Sequence, residues 1–260
     1  MRKIVYTAIT GDYDHVQEPV KCEGWEYKLI TNSFSIDPKN WDVIHSPTVI
    51  DNTRTARHAK LHPWEYFDAD LSIWIDANVK ITCDFNALVD IYKDGEFTIM
   101  RHPDRDCVYQ ELEACKRGLK DDFTIMNNQV NLYRSFDYPS NNGMVSSGMH
   151  IKEHTQSVKN FCDKWWQEIV NHSYRDQLSF NYTAWKNNYR FKYMPFLFNI
   201  PMIGLMMIPG HPGRVIKKPE LPKPIIPKSE LPKIIKPEIP KPIATEPIRA
   251  KQFFNARRRR

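Results

Sequence analysis

The stretch Leu71-Ser72-Ile73-Trp74-Ile75-Asp76-Ala77-Asn78-Val79 is a short apolar run that ends on an acidic residue. An apolar run of this length is typical of a strand buried on both faces of a parallel sheet. Open α/β sheets bind their ligands just beyond the carboxyl ends of the strands. Asp76, followed two residues later by Asn78, can hold a hard divalent cation against a diphosphate. The stretch therefore favours an enzyme that handles a nucleotide-linked donor.

Strand-like and helix-like patterns alternate along the first 216 residues. The hydrophobic patterns and turn residues predict strands at residues 3–10, 26–31, 42–45, 71–75, 97–100, 145–151 and 190–198. They predict helices at residues 53–61, 106–117, 122–133, 155–171 and 176–185, with Thr53 as the cap of the first. Alternation of this kind predicts an α/β fold with a mostly parallel central sheet.

The character of the chain changes near residue 217, which divides it into a predicted domain at residues 1–216 and a tail at residues 217–260. The tail carries 13 Lys and Arg against 4 Asp and Glu, and nine of the chain's 19 prolines lie between residues 217 and 247. Lys-Pro and Leu-Pro repeats predict an extended, weakly packed segment. Such a tail is either a soluble spacer or a salt-sensitive contact for an anionic partner, without specific nucleic-acid recognition.

The cysteines and the apolar segments bear on the compartment. Five cysteines occur without a CxxC pair, which indicates reduced thiols rather than a disulfide framework or a zinc site. The first residues enter a strand-like run directly, and no apolar stretch is long enough to span a membrane. We therefore expect a cytoplasmic protein, in the host cytoplasm if the chain is viral. The sequence does not predict an oligomeric state.

A basic helix face is the first candidate for diphosphate binding. Arg54, Arg57 and Lys60 recur every three residues, which keeps them near one side of the predicted helix. Their charges can either neutralise a diphosphate through hydrogen bonds or form an ordinary solvated face. The chain contains no GxGxxG and no GxxxxGK[ST] motif, so the usual phosphate loops of dinucleotide-binding and P-loop proteins are absent from the sequence.

Four further residues are candidates for the site. His102 and Arg105 lie in a polar loop after a predicted strand, where they can bind phosphate or sugar hydroxyls. Asp176 lies at a predicted helix start, where it acts either as a general base or as a plain helix cap. His211 either completes the metal shell or is a simple loop residue. Asp76 has a structural alternative too, since an Asp at the end of a strand often caps the following turn.

Several segments together resemble a glycosyltransferase-like family known from plant mucilage and turgor-regulation proteins, with members in bacteria and large viruses. The segments follow the family's order, and the resemblance covers about residues 3 to 200. They are Ile4-Val5-Tyr6-Thr7-Ala8-Ile9-Thr10-Gly11-Asp12-Tyr13-Asp14, the Arg54…Arg57…Lys60 helix, Ser72 to Asn78, Arg101 to Glu111 and Arg175 to Phe180.

The resemblance implies a GT-A-like sandwich that binds a nucleoside-diphosphate sugar, UDP- or GDP-linked, with Mn²⁺ or Mg²⁺. It places Asp76 at the metal, and it places Thr10, Gly11, Tyr13 and Asp14 at the nucleotide. The acceptor would be a glycan or a protein-linked glycan. Asn78 stands where the family's DxD pattern has a second Asp, so weaker metal binding is expected.

Two mechanisms and one rival function remain open. If the enzyme inverts, Asp176 takes the acceptor proton; if it retains, Asp176 or Gln177 orients the donor sugar. The rival is a non-catalytic sugar- or nucleotide-binding protein, favoured by Asn78, whose basic tail attaches it to an anionic partner.

Overall fold

The computed structural model describes residues 1–11 and 13–209, and these form a layered α/β domain. A seven-stranded sheet has the order β3-β2-β1-β4-β7-β6-β8, and a small second ladder joins β5 to β9. The strands are β1 Lys3–Ile9, β2 Glu26–Thr31, β3 Asp42–His45, β4 Leu71–Ile75, β5 Val79–Ile81, β6 Phe97–Arg101, β7 Val145–Glu153, β8 Lys192–Met194 and β9 Leu205–Met207. The helices are α1 Asn52–Leu61, α2 Phe85–Tyr92, α3 Val108–Arg117, α4 Phe123–Ser135, α5 Gln156–Asn171 and α6 Asp176–Lys186, with a 3-10 turn at Pro63–Glu65.

Strand β4 is the centre of the sheet, and all five of its residues are buried. It pairs in parallel with β1 on one side and antiparallel with β7 on the other. Six of the seven strands point the same way, and only β7 runs against its neighbours. The predicted α/β fold with a mostly parallel central sheet is thus confirmed.

Helices cover both faces of the sheet, which explains why its central strands are apolar throughout. On one face Ile4 and Tyr6 of β1 and Trp74 of β4 pack against Ala59 of α1. On the other face Ile73 and Ile75 of β4 belong to the cluster that includes Phe85 and Leu88 of α2. Alternate residues of one strand therefore enter two different cores, as the period of a strand requires.

The reversed strand β7 shapes the region beyond β4. Because the two strands are antiparallel, Ile75 at the end of β4 lies opposite Met149 of β7. The backbone N–H of Asp76 then donates to the carbonyl of Gly148 at 2.9 Å. The first residues of β7 consequently lie beside the carboxyl end of β4 and close one side of the space there.

Several predicted boundaries were wrong. Helix α1 is capped by Asp51, whose carboxylate accepts from the Arg54 N–H at 2.7 Å, and not by Thr53. Helix α3 begins after Cys107 rather than at Asp106, and the late strand shrinks to β8. The short elements β5, α2 and β9 were not predicted, because three to eight residues give too little periodicity to distinguish them from loops.

The cysteines agree with the expectation of reduced thiols, since all five are free. Within residues 1–11 and 13–209, no helix combines the length and the apolar character that a membrane crossing needs. The predicted tail lies outside the described residues.

Candidate active site

The carboxylate of Asp76 is held by its own strand. Trp74 and Asp76 lie two residues apart and therefore on the same face, where the Trp74 indole N–H donates to Asp76 Oδ1 at 2.8 Å. Trp74 is buried, whereas the Asp76 side chain is 42% exposed. A buried donor thus orients a carboxylate that remains open to solvent, which is the geometry of a binding group rather than of a turn cap.

Lys60 connects Asp76 to the interior. Its ammonium lies 2.6 Å from Asp176 Oδ2 and 3.7 Å from Asp76 Oδ1, and it sits 5.3 Å from the centre of the Trp74 ring. The Lys60 side chain is only 1% exposed. A single buried cation therefore bridges a buried carboxylate and a half-exposed one.

Groups of the protein itself occupy both carboxylate oxygens of Asp176. Its Oδ2 also accepts from the Ser147 hydroxyl at 2.9 Å, and its Oδ1 accepts from the Gln177 N–H at 3.1 Å. Burial alone would raise the pKa of the Asp176 carboxyl, but the charges of Arg57, Lys60 and Arg175 outweigh burial and hold this pKa well below its usual range. The predicted role as general base does not fit this geometry, because a buried, ionised carboxylate with its oxygens in use cannot reach an acceptor hydroxyl.

The contacts of Arg54, Arg57 and Lys60 also do not support the predicted diphosphate-binding face on α1. Arg54 pairs with Asp51 at 2.7 Å and donates to the carbonyls of Ile169 and His172, so it joins α1 to the end of α5. Arg57 Nε lies 3.7 Å from Asp176 Oδ2, and Lys60 is buried. These three side chains bind to other groups of the protein. They present no common face to a diphosphate, because other parts of the fold cover the side of α1 on which they lie.

A cavity of about 310 Å³ opens beside Asp76. Four of the predicted site residues line it, namely Asp76, His102, Arg105 and Gln177. The remaining lining residues come from the loop before α3, from α3 and the loop after it, from β7, from the N-cap of α6, from the segment after β8 and from β9: Pro103, Asp104, Glu111, Ala114, Cys115, Lys120, Ser146, Gly148, Arg175, Phe196, Phe198 and Met207. Residues more than 100 positions apart thus converge on one carboxylate.

Arg105 is fixed against the wall of this cavity. Its Nε donates to Glu111 Oε2 at 2.6 Å, and its Nη2 lies 2.6 Å from His102 Nε2. Glu111 is nearly fully buried and also accepts from the Cys115 thiol. Burial, together with the charge of Arg105, lowers the pKa of His102, so the imidazole is neutral at pH 7. The wall therefore offers an oriented guanidinium and a neutral imidazole.

The predicted nucleotide residues form a separate polar cluster at the ends of β1 and β2. The Thr10 hydroxyl donates to the Asn52 carbonyl at 2.5 Å, and the Gly11 N–H donates to Asn32 Oδ1 at 2.9 Å. Gly11 has φ +65°, and a Cβ there would lie 1.9 Å from the Asn52 amide nitrogen. Only glycine fits this turn, for both steric and conformational reasons.

Tyr13 is exposed, and Asp14 accepts from the N–H of His15 at 2.8 Å. Neither they nor Thr10 and Gly11 line the cavity beside Asp76. The role predicted for these four residues at the nucleotide stays a prediction.

Asn78 has a structural partner. Its side-chain Nδ2 donates to the Ile208 carbonyl at 3.3 Å, and its backbone carbonyl accepts from the Ile208 N–H at 2.8 Å. It does not line the cavity. The predicted metal role of Asn78 therefore lacks support from its contacts, and the predicted role of His211 falls outside the described residues.

Sequence reasoning missed the groups that shape the cavity, notably Arg175, Glu111, Gly148 and Phe198. A Cβ on Gly148 would lie 2.7 Å from Phe198 Cε2 and 3.4 Å from Asp76 Oδ2, so the missing side chain keeps the space open. Trp74 was available as a signal, because a tryptophan two residues before a strand-ending Asp shares its face.

The α/β sheet and the half-exposed carboxylate beside this cavity are compatible with a glycosyltransferase-like domain, the class that the sequence comparison identifies. The chain belongs to the family described as TOD1/MUCI70, glycosyltransferase-like domain, whose sequence model matches residues 41–202. The family predicted from the sequence motifs is thereby confirmed. The segment Ile4 to Asp14 lies outside the matched residues.

The proteins that are similar to this chain include one curated relative and one solved structure. Over 151 residues it is 26% identical to the probable hexosyltransferase MUCI70 of Arabidopsis thaliana, a match that covers 54% of this chain. The match spans 26% of that relative, so the chain corresponds to about a quarter of its length. Among solved structures, WbbM, a bifunctional glycosyltransferase in its apo form, is 11% identical with a TM-score of 0.45, covering 75% of this chain and 39% of WbbM.

Proposed function

We propose that the chain is a metal-dependent glycosyltransferase that moves a sugar from a nucleoside-diphosphate donor to a glycan or protein-linked acceptor. One observation carries the proposal: the half-exposed carboxylate of Asp76 and the fixed guanidinium of Arg105 line the same cavity. A carboxylate attracts a cation and a guanidinium attracts phosphate oxygens, so the pair suits a diphosphate bound with a divalent ion.

The donor set at Asp76 fits Mn²⁺ or Mg²⁺. Both ions take oxygen ligands, and Mg²⁺ is often bound through one or two carboxylates together with substrate phosphates. Oδ1 of Asp76 accepts from Trp74, and Oδ2 lies beside Gly148, where the absent Cβ leaves a cradle next to the carboxylate. When bound, the cation would offset the charge that develops on the leaving diphosphate.

The chain's own residues position the donor. Arg105 is held by Glu111 and therefore needs little reordering to bind a phosphate oxygen. Arg175 lines the same cavity and adds a second positive charge. The imidazole of His102 lies 2.6 Å from Arg105 Nη2 and helps to position the guanidinium. The same arrangement supports our proposal that the donor is a UDP- or GDP-sugar bound in this cavity.

Gln177 replaces Asp176 as the residue of this pair that contacts the donor. Its amide nitrogen donates to the Val145 carbonyl at 3.1 Å, which fixes the side chain at the edge of the cavity. Asp176 does not contact the donor in this proposal. It binds Lys60 and so fixes the start of α6. We therefore assign Gln177 to donor orientation and Asp176 to positioning.

The test measures nucleotide release from a panel of UDP- and GDP-sugars with Mn²⁺ or Mg²⁺. Wild type is compared with Asp76→Ala and with Asp90→Ala, a control that removes an exposed carboxylate on α2. We expect metal-dependent release that falls at least about 100-fold in Asp76→Ala and stays unchanged in the control. Equal release by the two variants would refute the role of Asp76.

A non-catalytic sugar- or nucleotide-binding protein is the second candidate. The observation in its favour is that Asn78 offers a neutral amide where a DxD pair has a second carboxylate, and that Asn78 does not line the cavity beside Asp76. Equilibrium dialysis with the same donors separates the two functions. Donor binding without nucleotide release from any member of the panel would establish the binder and overturn the transferase.

A further inference from the structure

A second cluster of polar side chains lies at the end of α1, apart from the cavity beside Asp76. It consists of His58, His62 and Glu65, and one ligand atom from each lies within 4.8 Å of the other two. None of the three lines the cavity. The cluster plays no part in the function proposed above.

Local geometry brings these side chains together. His58 and His62 are four residues apart, so they stack on one face of the helix, with ring centres 4.5 Å apart. The 3-10 turn Pro63–Glu65 follows at once and returns Glu65 to the same place, with Oε2 3.7 Å from His58 Nε2. Three residues of one short segment therefore supply two imidazoles and one carboxylate.

One ring nitrogen of His62 has no hydrogen-bond partner. His62 is 3% exposed, and its Nδ1 is buried without any hydrogen-bond partner. Burying a polar atom without a hydrogen bond is costly, so this nitrogen calls for a partner such as a bound ion. Its other nitrogen, Nε2, lies 3.1 Å from Asp163 Oδ1.

His58 shows the same division between its two nitrogens. Its Nδ1 lies 2.9 Å from the Tyr66 hydroxyl, while its Nε2 is the atom near Glu65. In metal sites, an imidazole that binds the ion through one nitrogen commonly has the other nitrogen held by a carboxylate or another polar group. Asp163 and Tyr66 occupy the positions that this arrangement requires.

We propose that His58, His62 and Glu65 form a binding site for a late first-row divalent metal ion, represented by Zn²⁺, with His58 Nε2, His62 Nδ1 and a Glu65 carboxylate oxygen as ligands. Two imidazoles and one carboxylate are a typical zinc donor set, whereas the oxygen site at Asp76 suits Mn²⁺ or Mg²⁺. The chain thus carries two metal sites of different chemistry.

Burial and access agree with this assignment. The side chain of His58 is 15% exposed and His62 is 3% exposed, so the two imidazoles form the buried side of the cluster. Glu65 is 54% exposed and gives an ion a route from solvent. The bound ion would tie the end of α1 to the turn that follows and so stabilise the helix that carries Lys60.

The experiment titrates Zn²⁺ alone into the full chain, after removal of metals with a chelator, and follows binding by calorimetry and thermal unfolding. It is done in the Asp76→Asn background, so that the oxygen site does not contribute. We expect one Zn²⁺ per chain and a rise in Tm. Substitution His58→Gln or Glu65→Gln should each weaken binding at least about tenfold.

The matched control is His172→Gln, which removes an imidazole that also neighbours a carboxylate, Glu168, at 3.8 Å. It should leave the Zn²⁺ affinity unchanged. Glu65→Gln alters an exposed side chain, so a folding failure will not obscure its result. The proposal is overturned if the Asp76→Asn chain binds no Zn²⁺, or if its affinity survives both His58→Gln and Glu65→Gln.

Discussion

The ammonium of Lys60 lies 2.6 Å from Oδ2 of Asp176, and neither side chain is more than 2% exposed. The two residues are 116 positions apart in the chain, and their pair joins α1 to the first turn of α6. Desolvation of two charges is costly, and the cost is offset only when further hydrogen bonds complete the site. Ser147 and the Gln177 N–H supply them here.

Loss of one partner from this pair should destabilise the domain strongly. Lys60→Met leaves Asp176 buried without its nearest cation, and we expect the free energy of unfolding to fall by about 3–5 kcal/mol. Urea unfolding measures the change. Lys39→Met, which breaks the exposed pair with Asp37, is the control and should change stability by less than about 0.5 kcal/mol. A similar small effect for both variants would refute the structural role of Lys60.

Gly148 should control the space beside Asp76. In Gly148→Ala the new Cβ meets Phe198 at 2.7 Å, so the ring must move and the cavity must narrow. We expect donor binding to weaken about tenfold or more, measured as KM for the nucleotide sugar. Adding Phe198→Leu removes the clash and should recover part of the binding. If Gly148→Ala binds donor as wild type does, the cavity is not the donor site.

Stability should fall as the pH drops below 6.5. Burial, followed by the charge of Lys152, lowers the pKa of His154 to about 4, and burial lowers that of His62 to about 3. In the unfolded chain a histidine has a pKa near 6.5, so the unfolded state binds more protons and gains on the folded state from pH 6.5 downward to about pH 4.

Urea unfolding at pH 7.5, 6.0 and 5.0 in chelator-treated buffer measures this dependence. His154→Gln should reduce the slope of stability against pH, whereas His15→Gln, at an exposed position, should leave it unchanged. An identical slope in wild type and His154→Gln would contradict the assignment of this slope to buried neutral histidines.

Removal of residues 217–260 should leave donor turnover intact. The described residues that line the site all lie within residues 1–209, and the removed segment carries 13 Lys and Arg against 4 Asp and Glu. We expect unchanged nucleotide release and a loss of salt-sensitive binding to an anionic polymer such as heparin. A drop in turnover on deletion would mean that the tail contributes to the domain.

Sequence patterns predicted the framework of the fold well. The apolar run Leu71–Ile75 predicted the buried central strand, and Asp76 after it predicted the open carboxylate. His102 and Arg105 were placed at the ligand-facing end of the sheet, where they line the cavity. These predictions depend only on local periodicity and on the rule that parallel strands end at a common edge.

The predictions that failed concern which side of a helix packs against the rest of the protein. Helical spacing placed Arg57 and Lys60 near one side of α1, but it could not show that Asp176 occupies that side. For the same reason Asp176 was predicted as a base, although its environment makes it an ion-pair partner. The charge of a side chain is visible in the sequence, whereas the group that neutralises it is not.

The amino-acid sequence alone determined the alternation of strands and helices, the family and the position of Asp76 at the end of a buried strand. Local periodicity and motif order carry that information, because both are properties of the linear sequence. Only the tertiary structure decided that Lys60 is buried, that Gly148 keeps the cavity open and that His62 holds an unpaired nitrogen. Those properties depend on contacts between distant segments, and packing in three dimensions creates them.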